Sequence, residues 1–478
     1  MSRSLEIDPR PAAPTVDAGV GGHEYVLDAV HCADRTLART WLGLGLFALV
    51  GSGLFSVLLV LSRSPVVNQW LPVENFFRVA LVVHVDLSVL VWFVSVAGLL
   101  WTVAGSRRGI GLGWAALALC GAGTAVMSLA PFIGRGEPAM ANYVPVLDGA
   151  MFLAGLSLFA AGGVTLVIWS LWVGPRPGPA LSGAAALRFG LAAAAVAAAV
   201  ALLAFAWSLV LVPMGLDSKA YYEILFWGGG HALQFVWTLL MLVGWLWLAS
   251  ATGARVPMSP RVVLAMFGLA LAGVFATPFA YLAFDVASVE HRQIHTWAMR
   301  LGGGLAILPI GLATVLAMWR RNTALSPSAR PLQAALVASI TLFAVGGLIG
   351  VFISGNNVKI PAHYHGSIVG VTLALMGLVY LLLPRLGYGT PIGRMARWQP
   401  TLYGVGQLMH IIGLVWSGGY GVQRKVAGSE QVLRSTPEIA GMALMGLGGA
   451  IAILGGLLFI VVVLKAVRRP ADGEATAS

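Results

Sequence analysis

Runs of about twenty apolar residues recur along nearly the whole chain, and they constrain its fold more than any other feature. A helix of that length crosses the hydrocarbon core and satisfies its own backbone N–H and C=O groups there, which irregular chain cannot do. Twelve stretches qualify: 41–62, 79–103, 110–131, 149–173, 189–212, 224–250, 262–284, 301–319, 331–354, 361–384, 401–423 and 439–464. Charged residues are only 10% of the 478 and hydrophobic ones 58%, with a mean hydropathy of +0.87, whereas a soluble domain carries about 25% charged residues. The expected fold is therefore all-α, a polytopic integral membrane protein with twelve transmembrane helices. The gaps leave no room for a soluble domain. Residues 1–40 read as a cytoplasmic N-terminal tail, 41–466 as one membrane domain and 467–478 as a C-terminal tail. The first 34 residues are polar, carry Pro9, Pro11 and Pro14, and lack the apolar core of a signal peptide.

A net charge of +11 would suit a nucleic-acid binder, but its distribution argues against one. Roughly two-thirds of the 29 Lys and Arg fall on the side of the N-terminal tail, counting alternate loops and the C-terminus. The positive-inside rule then places both termini in the cytoplasm of a bacterial-type inner membrane, with lipid and no nucleic acid as its surroundings. Cys32 and Cys120 are isolated and form no CxxCH or paired-thiolate motif, so attached heme c and a thiolate copper site are unsupported.

Orientation turns sequence position into depth. His84 lies about two turns in from the outer end of the second stretch, and His231 falls in the outer half of the sixth. His291 sits in the outer loop after the seventh stretch, and His295 begins the approach to the eighth. His363 and His365 open the tenth, again at its outer end. Six of nine histidines thus share one level, where chance would scatter them. Ionisable side chains in a membrane are costly and usually functional, and imidazole is a natural ligand of heme iron and copper. His363 and His365, two residues apart on a helix, point in well-separated directions, so one helix can serve two metals. Every carboxylate between the first and last stretch, from Glu74 and Asp86 to Glu430 and Glu438, belongs to an outer loop or the outer part of a helix. That distribution speaks against a carboxylate proton path from the cytoplasm.

This ordered set resembles subunit I of the heme–copper oxidase superfamily, which includes terminal oxidases and nitric oxide reductases. The resemblance runs from about residue 40 to 465 and implies a twelve-helix bundle with ligands on helices 2, 6, 7 and 10. VVHVDLSVLVWF looks like the family's helix 2 and makes His84 an axial ligand of a low-spin, b-type heme. HYHGSIVGVTLALMGLVYLLLPRLG resembles the helix 10 motif: His365 would complete that heme, and His363 would hold a high-spin heme. GGGHALQFVWTLLM looks like helix 6 and makes His231 a copper ligand. Arg424 and Lys425, in GQLMHIIGLVWSGGYGVQRK, match the family's basic pair on heme propionates, a sound charge pairing in its own right. The implied activity is a respiratory reductase that takes electrons from cytochrome c or quinol, through a partner subunit, and reduces O2 to water or NO to N2O.

Two departures bear on the chemistry. The family has adjacent histidines after helix 7, whereas VEHRQIHTWAMR places Arg292 after His291. His295 shares a face with His291 only if this segment is helical, and would then complete the copper site. The family's helix 6 tyrosine, four residues after its histidine, is replaced by Phe235, with Tyr281 the sole candidate on helix 7. A phenol lends the electron and proton that O–O cleavage needs, and NO reduction does without it, so the pattern leans toward NO. In the better-known NO reductases a glutamate takes that helix 6 position beside iron; Phe235 stands there instead, which favours copper over non-heme iron. His410 reads as a packing histidine, and His23 and His31 as solvated. Glu137 and Glu290 are outer acids that either pass protons or brace loops. The glycines at 228–230 and 302–304 suit close helix packing or close approach to a macrocycle. A copper-free heme conduit and a secondary transporter stay open as other readings.

Overall fold

The computed structural model describes residues 22–27, 34–61, 76–178, 180–353, 357–424, 433 and 435–470. Among these, twelve long helices follow one another: α1 (Arg35–Leu61), α2 (Phe76–Ala104), α3 (Ile110–Ile133), α4 (Ala150–Val173), α5 (Gly183–Leu211), α6 (Ser218–Ala251), α7 (Pro260–Ala283), α8 (Val289–Trp319), α9 (Ala329–Val351), α10 (Lys359–Leu382), α11 (Arg394–Gly419) and α12 (Thr436–Val467). Eleven are long and apolar enough to cross a membrane, and the chain is a polytopic all-α membrane protein. The exception is α11, whose hydropathy is lowered by Arg394, Arg397, Gln399, Gln407 and His410. Its 26 residues would still span about 39 Å.

Consecutive helices pack as hairpins, α1 with α2, α3 with α4, α5 with α6, α9 with α10 and α11 with α12, and α12 returns to α1. Small residues let the backbones approach. On α11, Gly406 meets Gly448 and Ala452, while Gly413 meets Gly441 and Met445, which sets an antiparallel register with α12. Gly346 of α9 and Gly366 of α10 lie backbone to backbone. Apolar side chains such as Phe47, Leu129, Ile168, Leu308, Leu348 and Leu457 face outward, as lipid contact requires. The three most enclosed helices are α2, α6 and α10. They are the ones that carry His84, His231, His363 and His365.

Two helices are interrupted by π turns, Asp86–Val91 in α2 and Met299–Gly303 in α8. Each follows closely on a histidine singled out by the sequence, His84 and His295, and π turns of this kind frequently mark functional sites. Asp86 opens the first. It is buried, and neither carboxylate oxygen has a hydrogen-bond partner among the described residues.

The ends of the bundle differ. Between α3 and α4 a short antiparallel hairpin, β1 (Glu137–Ala139) and β2 (Val146–Asp148), pairs Glu137 with Asp148 and Ala139 with Val146. It is tied to α6 by Tyr222, whose hydroxyl donates to Asp148 Oδ1 at 2.9 Å, and by Ser218 on the same carboxylate. At the opposite end residues 22–27 run along the α6–α7 turn. His23 and Val256 exchange backbone hydrogen bonds of 2.8 and 2.9 Å, and the buried Tyr25 hydroxyl donates to Met258 O at 2.6 Å. This part of the N-terminal segment is folded down, with His23 itself exposed; His31 lies outside the described residues.

Candidate heme and metal centre

Three imidazoles meet between α6 and the first turns of α8. The segment expected to be a loop at His291 is helix: Ser288 Oγ caps it, accepting from His291 N at 3.2 Å. Helical spacing then puts His291 and His295 on one face, their ring centroids 4.6 Å apart, with His231 5.7 Å from His295. All three are buried. Arg292, between them, turns away, its guanidinium 4.8 Å over the Trp227 ring and 4.0 Å from the Glu223 carboxylate.

The hydrogen bonds decide which nitrogens are on offer. His231 Nδ1 lies 2.8 Å from Trp227 O and His295 Nδ1 2.7 Å from His291 O. A carbonyl only accepts, so each Nδ1 carries the proton and each Nε2 keeps its lone pair. Among the described residues, His295 Nε2 and both nitrogens of His291 are buried without a hydrogen-bond partner. Uncompensated burial of such groups is expensive, and a bound cation relieves it. His231 Nε2 does have a partner: the Tyr143 hydroxyl, 2.9 Å away. As they stand, no three His, Cys, Asp or Glu side chains converge as a metal-binding group among the described residues.

Two phenols sit at this cluster, and the sequence pattern predicted neither with assurance. Tyr281 of α7 presents its ring edge-on to His291, with centroids 4.6 Å apart, and shares a 2.6 Å hydrogen bond with Ser208. Tyr143 comes from the loop between β1 and β2. Burial, then the neighbouring Tyr364 and Glu223, push its phenol well above the ordinary value, so it stays protonated and donates. The glycine triplet explains how these rings fit. A Cβ at Gly228 would overlap Tyr281, one at Gly229 would overlap Phe205, and one at Gly230 would overlap Tyr143. The triplet serves close approach of side-chain rings to the α6 backbone.

The other histidines form a second group. His84 Nδ1 is held by Ser52 of α1, 3.0 Å from its Oγ and 2.9 Å from its carbonyl oxygen. His363 Nδ1 lies 2.7 Å from Gly346 O on α9. His365 points instead toward α11, where its ring centroid is 4.7 Å from that of His410. His84 lies within electrostatic reach of both. The two residues of the H-x-H pair therefore do address different neighbours. His410 combines the packing role expected of it, Nδ1 on Met445 O at 3.0 Å, with a place beside His365 that its sequence position did not announce.

A family model described as cytochrome c and quinol oxidase polypeptide I matches residues 36–458. The chain belongs to this family. Two relatives carry no assigned function. An uncharacterized protein of Rickettsia prowazekii (strain Madrid E) is 29% identical over 90% of this chain and 95% of its own length. An uncharacterized protein of Aquifex aeolicus (strain VF5) is 26% identical over 75% of this chain and 88% of its own.

Oxidases of this family hold hemes and copper, and the residues present suit them. Five imidazoles, those of His84, His231, His295, His363 and His410, have Nδ1 within hydrogen-bonding distance of a backbone carbonyl, which leaves the lone pair on Nε2. His84, His363, His365 and His410 stay half-buried although they lie within the bundle, so there is open space beside each ring. Arg424 donates to Asn142 Oδ1 at 3.3 Å and is hydrogen-bonded to Tyr364, the residue between His363 and His365. Lys425 lies outside the described residues. Of the outer acids, Glu137 and Glu290 are exposed, whereas Glu223 reaches the site, gripping Asn142 at its backbone N–H (3.0 Å) and its side-chain amide.

Proposed function

We propose that the chain is the catalytic subunit of a respiratory terminal reductase that converts NO to N2O or O2 to water. The observation that supports this reading is the cluster of His231, His291 and His295, in which His295 Nε2 and both His291 nitrogens are buried without a hydrogen-bond partner among the described residues. In this reading His84 and His365 hold the low-spin b-type heme, His363 holds the high-spin heme, and His231, His291 and His295 hold copper. When bound, these groups carry the electrons and reduce the gas. The chain's own residues orient the ligands: Ser52, Gly346, Trp227 and the His291 carbonyl each fix one imidazole tautomer. Arg424 and Lys425 neutralise heme propionates. Cytochrome c or quinol supplies electrons through a partner subunit. The α11 helix also spans the membrane and brings the spans to twelve, the membrane domain covers 41–466, and both termini face the cytoplasm of a bacterial-type inner membrane.

Phe235 favours NO, since a phenyl ring lends neither proton nor electron. Tyr143 and Tyr281 put two phenols beside the imidazoles by another route and take that argument away. The gas is therefore decided by turnover of the purified complex with O2 and, separately, with NO. Heme and copper are to be quantified in the same preparation, and one copper per two hemes is expected. A preparation with hemes but no copper would leave an electron conduit, and one without visible heme absorption would remove both heme readings.

His410→Ala tests the second group. Both hemes are expected to remain, while the low-spin heme changes its midpoint potential and visible band, because the ring that packs on His365 is gone. Unchanged potential and spectrum would return His410 to packing alone.

A further inference from the structure

We propose that Tyr143 is the phenol of the gas-reducing site, delivered by the α3–α4 hairpin and not by a membrane helix, and that Glu223 is the residue that positions it. The inference rests on His231 being a copper ligand. Its geometric basis is the 2.9 Å contact between the Tyr143 hydroxyl and His231 Nε2. That nitrogen has one lone pair, because Nδ1 carries the proton donated to Trp227 O. Metal and phenol compete for it. A metal held by His231 Nε2 would take that lone pair, and the Tyr143 hydroxyl would then have its hydrogen bond to offer to the substrate gas.

The ring is held there from three sides. It packs edge-on to Trp227 with centroids 5.8 Å apart, and tilted on His231 at 4.8 Å. Behind it the α6 backbone is bare, since a Cβ on Gly230 would overlap the ring. The preceding residue, Asn142, is clamped by Glu223 through its backbone N–H at 3.0 Å and its side-chain amide, and by Arg424 on its Oδ1 at 3.3 Å. Glu223 lies two helical turns before His231, so one helix supplies both the imidazole and the clamp for the phenol that meets it. Tyr281 is the rival. Its hydroxyl is bound to Ser208 at 2.6 Å, and its ring meets those of His291 and His295 in T-shaped contacts with centroids 4.6 and 5.9 Å apart.

The test uses the purified complex with hemes and copper quantified. Tyr143→Phe is expected to retain both hemes and copper, to lower kcat about a hundredfold, as loss of a proton-donating group does, and to shift the C–O stretching band of the reduced, CO-bound enzyme. Gly230→Ala displaces the same ring without altering its chemistry and is expected to give the same band shift. Glu223→Ala should reproduce the Tyr143→Phe phenotype, and Glu223→Gln, which still accepts from Asn142 N–H, should recover most of kcat. Wild-type kcat with an unmoved CO band in Tyr143→Phe overturns the proposal, as does a shift seen in Tyr281→Phe instead. If Glu223→Gln is as impaired as Glu223→Ala, Glu223 acts through its charge and the positioning role is refuted. A copper-free but heme-replete wild-type complex removes the reductase reading itself, a result separate from any of these.

Discussion

His295→Ala is expected to abolish turnover with either gas while leaving the spectrum of the low-spin heme intact. Its Nε2 is one of the three buried nitrogens with no hydrogen-bond partner, and its Nδ1 is already committed to the His291 carbonyl. Loss of a group that merely orients a metal ligand costs about 10–100-fold in metal affinity or activity. Loss of a ligand should therefore exceed about a hundredfold, with copper content falling in parallel. His84 and His365, proposed to hold the low-spin heme, sit on other helices, α2 and α10. Turnover, copper analysis and the visible spectrum of one preparation check the prediction. Full activity would take His295 off the site.

The second large effect is expected at the contact between α9 and α10. Gly346 and Gly366 face each other backbone to backbone, and a Cβ on either would overlap the backbone of the other helix. The same Gly346 supplies the carbonyl that fixes His363 Nδ1 at 2.7 Å. Gly366→Val forces the helices apart, at about 1–3 kcal/mol of overpacking strain, and pulls His363 from its carbonyl. The expected result is loss of the CO-reactive high-spin heme, measured as a collapsed CO difference spectrum against total heme. Gly350→Ala approaches the same ring from another point, its Cβ 2.7 Å from His363 Nδ1, and should weaken CO binding to a lesser degree. Undiminished CO binding in both variants would show that this contact does not set His363.

Much of the membrane architecture was legible because its physics is local. Lipid requires each span to satisfy its own backbone, so length and hydropathy alone marked the helices, and eleven of the twelve expected stretches meet that criterion in the structure. The helix α11 is the weak one for the same reason: its Arg, Gln and His residues make sense only against neighbours, with Gln399 accepting from Tyr380 and donating to Gly455 O, and His410 packed on α12. That His84, His231, His363 and His365 fall on helices could be read because length and hydropathy mark the stretches that carry them.

What the chain determined by itself was which residues could stand at one level of the bundle: the apolar stretches, their order and the histidines they carry. Tertiary structure decided which of those imidazoles meet and which nitrogen each presents. Whether His291 and His295 share a face depended on a helix capped by Ser288 in a stretch too polar to advertise one. Tyr143 had no sequence signal at all, because its place beside His231 comes from a hairpin folding back over α6 and from glycines at 228–230 that leave room for rings. Spacing along a helix follows from backbone geometry, but contacts between distant segments depend on how the whole bundle packs. That is why the phenol missing from α6 could be found only in the folded protein.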